Sequence, residues 1–139
     1  MYRLDLHTLN WDCVRTTPEV PDRGDQPVQI DEHTVCVDGT QVIVFGGFED
    51  GARTNKVRTF NLETHRWALI ESQSAKGPKP RAGHSASFFD NSMYIFGGKD
   101  DENFKLDDFW RFDMTSKTWT PIEPVGGPSA RAGHTAIVY

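Results

Sequence analysis

Three histidines, His33, His84 and His134, recur at intervals of 51 and 50 residues. A set of imidazoles is where metal binding or proton transfer would first be sought. Two glycine pairs, Gly46-Gly47 and Gly97-Gly98, each close an apolar run, a position from which a loop could cradle a phosphate. Cys13 and Cys36 are the only thiols, and Arg53, Arg81 and Arg131 carry the planar forks that grip carboxylates. The flanking residues remove two of these chemistries. A phosphate loop needs a helix N-terminus and either G-x-G-x-x-G or a following Lys-Ser or Lys-Thr, and neither glycine pair has them. No nucleophile is accompanied by a recognisable base and orienting acid, so no catalytic residue is assigned.

What positions these residues is a repeat. Gly46-Gly47 precedes Gly97-Gly98 by 51 positions, and Trp11, Trp67 and Trp119 lie 56 and 52 apart. Leu4-Asp5, Phe60-Asn61 and Phe112-Asp113 stand at matching places before those tryptophans. Self-similarity at such a period marks a series of like units, and no segment has a helical period. Short apolar or alternating runs ended by turn residues read as strands. They fall at 28–37, 42–45, 57–62 and 66–70 in one copy, and at 84–89, 93–96, 109–114 and 118–122 in the next. Asp38-Gly39 is a two-residue hairpin signal. Residues 16–29, with Pro18, Pro21 and Pro27, read as a loop, and so does the charged stretch 48–56.

The glycine pair after an apolar strand, the Phe-Asp or Phe-Asn, and the tryptophan six residues beyond it resemble the Kelch repeat, in two full copies over nearly the whole chain. The resemblance implies an all-β fold, a partial β-propeller of four-stranded antiparallel blades. Complete blades would occupy 28–70 and 81–122, the last two strands of a preceding blade 1–15, and the first strand of a following blade 131–139. His33, His84 and His134 would then hold one position in successive blades. Packed sheets lie about 10 Å apart, whereas zinc ligands stand about 2 Å from their ion, so these histidines share no metal and a structural hydrogen bond across the blade is expected. Gly46, Gly47, Gly97, Gly98, Trp11, Trp67 and Trp119 are expected to build the scaffold. Cys13 and Cys36 would lie about three strand spacings apart, beyond the roughly 7 Å reach of a disulfide. Free thiols and a reducing cytoplasm, or the nucleus, follow as expectations.

Some propellers of this kind are enzymes. Galactose oxidase holds copper on Tyr and His ligands with a Tyr-Cys crosslink, but Tyr2, Tyr94 and Tyr139 fall on strands as repeat residues. The nitrile-specifier proteins use Glu-x-x-x-Asp-x-x-x-His, and no glutamate here has aspartate at the fourth position. No cofactor, metal or catalytic activity is expected.

A net charge of −5 with interspersed signs offers no basic stripe for phosphates, so nucleic acid is not the expected partner. The longest apolar runs, 42–45 and 93–96, fall far short of the roughly 20 residues of a membrane span. With about 50 residues per blade and typically four to eight blades per ring, the 139 residues hold under three. Open blade faces are expected to drive self-association. In an antiparallel blade, the connection between its second and third strands emerges on the same face as the connection between blades. That face would carry Glu49, Asp50, Arg53 and Lys56 from one blade, Lys99, Asp100, Asp101, Glu102 and Lys105 from the next, and Arg81 and Arg131 beside the central mouth. The expectation is a protein–protein interaction module presenting these loops to a protein or peptide partner within a larger adaptor or scaffold. The alternative is a non-catalytic accessory propeller of an enzyme such as a phosphatase fusion or a specifier-type lyase.

Overall fold

The computed structural model describes residues 1–21, 24–27 and 29–139. It is all-β, a set of antiparallel sheets consistent with part of a propeller. A hairpin of β1 (Tyr2–Leu4) and β2 (Trp11–Cys13) is followed by two short strands, β3 (Thr17–Pro18) and β4 (Ile30–Asp31). The first blade runs outward as β5 (Thr34–Asp38) and β6 (Gln41–Phe45). After a small hairpin of β7 (Phe48–Glu49) and β8 (Ala52–Arg53), it continues as β9 (Val57–Asn61) and β10 (Arg66–Ile70). The second blade is β11 (Ser85–Phe89), β12 (Ser92–Phe96), β13 (Phe109–Asp113) and β14 (Thr118–Ile122), each antiparallel to the next.

The last two strands of each unit are joined by one device used three times. A carboxylate oxygen of Asp5 accepts from the His7 and Thr8 amides at 2.8 Å each. Asn61 does the same for Glu63 and Thr64 at 2.9 and 2.8 Å, and Asp113 for Thr115 and Ser116 at 2.9 Å each. Each turn closes on a left-handed residue, Leu9, His65 or Lys117, at φ 57°, 57° and 58°. The recurring Phe-Asp or Phe-Asn is thus a strand end followed by a side-chain-capped turn.

Strand alternation distributes the core. Ile43 and Phe45 of β6 point into a cluster with Cys36, Val57, Met93, Ile95, Phe112 and Trp119, which cements the two blades together. Val42 and Val44, one residue out of phase, face the other side and join Phe60, Trp67, Val14 and Ile30. Trp119 is 8% exposed and Trp67 7%, but Trp11 is 67% exposed. The tryptophan packs toward the blade before its own, as Trp119 does against Phe45 at 5.0 Å, and among the described residues no sheet precedes Trp11. Gly47 at φ 100° and Gly98 at φ 98° are where only glycine fits. A Cβ would lie 2.6 Å from the Asp31 carbonyl oxygen in one and 2.9 Å from that of Ala82 in the other.

Four sequence expectations need correction. Residues 16–29 are not simply a loop, because β3 pairs in parallel with β10 and the Glu19 amide donates to the Trp67 carbonyl at 2.6 Å. The linker therefore covers an outer edge that would otherwise be open to pairing. The buried Asp25 carboxylate extends that cover, accepting from the amides of Val20 at 2.7 Å and Leu69 at 3.2 Å. In the second blade Ser74 brackets the Trp119 backbone, and Pro121, two residues after Trp119 as Leu69 is after Trp67, has no amide needing a partner. The innermost strand begins at Thr34 rather than Val28. Val28 lies outside the described residues, and Ile30–Asp31 turns away at Glu32 (φ 51°) to pair with β7. The stretch 48–56 contains the β7–β8 hairpin. Residues 131–139 form no strand, since no second strand lies beside them to supply a ladder among the described residues.

Candidate interaction face

Backbone hydrogen bonds fix the rim of the central mouth blade by blade. The Gly83 amide donates to the Glu32 carbonyl at 3.0 Å, and the Gly133 amide to Gly83 at 2.8 Å. The second glycine of each pair reaches the start of the following inner segment, Gly47 to the Arg81 carbonyl and Gly98 to that of Arg131, both at 2.8 Å. Between these contacts the histidines lock neighbouring blades. His84 Nε2 shares a 2.7 Å hydrogen bond with Thr34 Oγ1, and His134 Nε2 a 2.9 Å bond with Ser85 Oγ. The histidine bond therefore runs between blades rather than across one. Among the described residues no three His, Cys, Asp or Glu side chains converge as a metal site would require. Cys13 and Cys36 are both free, and burial pushes the Cys36 thiol up to about 11, so it stays protonated.

Burial lowers the basicity of His84 to about 3, and the charge of Arg81 and the neighbouring His33 add to the effect. An unfolded histidine titrates near 6.5, so between about pH 6.5 and 3 the unfolded chain binds the extra proton. This contribution to stability is complete above about pH 6.5 and is lost as pH falls toward 3. Asp108 acts from the acidic end of that window downward. Burial raises its carboxyl, but hydrogen bonds and charge from Arg81, with the Trp110 indole N–H, outweigh burial and hold it below the usual range. Its share is present above about pH 4 and disappears on further acidification. The urea midpoint is expected to decline steadily from pH 6.5 to 3, and His84→Asn is expected to flatten that slope. An unchanged slope in the variant would remove His84 as its cause.

The candidate partner residues divide into two groups. Arg81 has no exposed surface. Its guanidinium meets both Asp108 oxygens at 2.6 and 2.7 Å and donates to the carbonyls of Gly97 at 2.9 Å and Lys79 at 3.1 Å. It is a strut within its own blade and does not face a partner. Glu49 is engaged as well, accepting two bonds from Arg58 at 2.7 and 2.9 Å and one from Lys56 at 3.3 Å. Asp100 is buried, caps the Phe104 amide at 3.0 Å and lies 3.6 Å from Lys79. Each of these groups satisfies a polar demand inside the fold, and with side chains 0%, 9% and 6% exposed Arg81, Glu49 and Asp100 leave little surface for a partner. Asp50, Asp101, Glu102, Lys105 and Arg131 remain exposed, and Arg53 and Lys99 are partly so. The Arg131 guanidinium bonds only to Ser129 among the described residues, at 2.9 and 3.3 Å.

Sequence reasoning missed Arg58, which is 1% exposed in the middle of β9 and also donates to the Gly24 carbonyl at 3.0 Å. An arginine inside the run Val57 to Phe60 was a usable signal, since a charge on a buried strand demands an acid. The mouth itself is a cleft of about 580 Å³ lined by Glu32, His33, Lys99, Lys105 and the glycines Gly83 and Gly133, among others. Outward of it stand the tips of the two loops. Arg53 donates to Asn103 Oδ1 at 2.7 Å, which ties the loop of one blade to that of the next.

A profile of the KLHDC2/KLHL20/DRC7 Kelch-repeats domain matches residues 1–139. The chain is 33% identical over 136 residues to host cell factor 2 of Homo sapiens, covering 84% of this chain and 17% of that protein. It is 31% identical over 142 residues to Kelch domain-containing protein 3 of Bos taurus, covering 94% and 35%. To the Rho GTPase-activating protein gacHH of Dictyostelium discoideum it is 26% identical over 136 residues, covering 94% and 9%. It thus spans about a third or less of the length of these relatives. The fold, the recurrence of its turns and locks, and this match over its full length establish that the chain belongs to the Kelch-repeat family.

Proposed function

We propose that this chain is a protein-interaction module whose partner docks on the face carrying the loop tips and the mouth. One observation carries the reading. The Arg81, Glu49 and Asp100 side chains are engaged in holding the fold, whereas Asp50, Asp101, Glu102 and Arg131 are exposed and Arg53 partly so, all on the loops of a single face. Loops held by a rigid scaffold are where recognition concentrates. The partner is a protein or peptide, and the role is that of an adaptor or scaffold segment within a longer chain. Relatives with names as different as host cell factor 2 and a Rho GTPase-activating protein support a module that travels with varied neighbours.

Affinity capture from cell extract tests this, with the wild type set beside Arg131→Ala and a variant replacing Asp50, Arg53, Asp101 and Glu102 by alanine. Recovery of specific proteins is expected to drop at least tenfold in the loop variant at an unchanged melting temperature. Equal recovery by all three proteins would remove the proposal.

A further inference from the structure

We infer that the loop tips bind a protein segment that carries an apolar side chain flanked by lysine or arginine, with Phe104 and Phe48 as the apolar contact. This rests on the loop-face reading above and names its partner chemistry. Phe104 is 69% exposed and Phe48 38% exposed. Phe104 does not sit on a loose end. The Asp100 amide donates to the Phe104 carbonyl at 3.1 Å, the Asn103 amide to the Asp100 carbonyl at 2.9 Å, and the Asp100 carboxylate accepts from the Phe104 amide. Asn103 takes φ 66° to close that turn.

Arg53 then joins the two phenylalanines into one surface. Its guanidinium carbon lies 5.8 Å from the Phe48 ring centre, while a terminal nitrogen holds Asn103, the residue before Phe104. Aromatic rings and arginine on a preorganised surface are what interface centres are made of, because little ordering remains to be done on binding.

Charge selects the partner. The base of the loop 99–105, where Lys99 and Lys105 pair in an isolated antiparallel bridge, is basic and turned to the mouth. Its tip is acidic, and Asp50, Asp101 and Glu102 have no ion pair among the described residues, whereas Glu49 and Asp100 are neutralised internally. A cationic segment meeting the tips gains attraction and orientation, and an acidic one is repelled from them.

A random 12-residue peptide library displayed on phage, selected on the chain, reads this out. The selected pool is expected to be enriched in peptides carrying Lys or Arg next to an apolar residue. Synthetic versions are expected to lose at least tenfold in affinity to Phe104→Ala and to the double variant Asp101→Lys, Glu102→Lys, both melting within about 2 °C of wild type. An acidic pool, or a basic pool bound equally by both variants, overturns this inference. If those acidic peptides are lost on Lys99→Ala, Lys105→Ala, the loop face stands as the docking surface while its partner chemistry is reversed. A selection yielding no enriched peptide, or only peptides indifferent to every loop variant, overturns both readings.

Discussion

Asp108→Ala is expected to lower the unfolding free energy by about 3 to 5 kcal/mol, the loss that follows when a buried guanidinium is left without its counter-charge. Arg81 has no contact with solvent, and after the substitution the carbonyls of Gly97 and Lys79 would still accept its protons without balancing its charge. The converse change is milder. In Arg81→Met an apolar chain fills much of the volume, and the Asp108 side chain, 37% exposed, recovers water. The two carbonyls lose a donor, so a loss of about 1 to 3 kcal/mol is expected. Urea unfolding at pH 7 separates the two cases. Equal losses, or a larger one for Arg81→Met, would show that the pair is not a buried charge held by its acid.

The tryptophans give the second large effect. Trp119→Ala and Trp67→Ala are each expected to cost about 3 to 5 kcal/mol, from lost transfer energy and the cavity left behind. Trp119 packs against Phe112 at 4.8 Å and Phe45 at 5.0 Å, so its removal opens the seam between blades. Trp67 leaves a gap beside Phe60, also at 5.0 Å. Trp11→Ala, at the matching repeat position but largely in solvent, is expected to change stability by no more than about 0.5 kcal/mol. Calorimetric melting of the three variants measures this contrast, and a Trp11 loss equal to that of Trp67 would contradict it.

The same contrast shows where sequence reading reaches and where it stops. The repeat exposed the glycine pairs, the histidines and the Phe-Asp or Phe-Asn strand ends because each recurs at one position, although the histidine bond expected across a blade runs between blades. It also placed Trp11 with Trp67 and Trp119, correctly by type and wrongly by environment, since burial depends on the neighbouring blade and not on the residue. The ion pairs were not legible because they are not repeated. Ile30 stands 51 residues before Arg81, and Lys56 occupies the place before β9 that Asp108 occupies before β13. The first blade instead buries Arg58 against Glu49. Arg81, Glu49 and Asp100 consequently looked like surface charges when each is paired inside the fold. Phe48 and Phe104 escaped notice for the opposite reason, as aromatics in charged stretches that a pattern of strands leaves aside.

A saturation substitution scan read by the abundance of folded protein tests the division between scaffold and recognition surface most directly. Intolerance is expected at Gly47, Gly98, Arg58, Arg81, Asp108, His84, Trp67 and Trp119, with near-neutral tolerance at Asp50, Arg53, Asp101, Glu102, Phe104 and Arg131. Free substitution at Arg81 and Trp119, or loss of folded protein on changing the loop tips, would contradict the account.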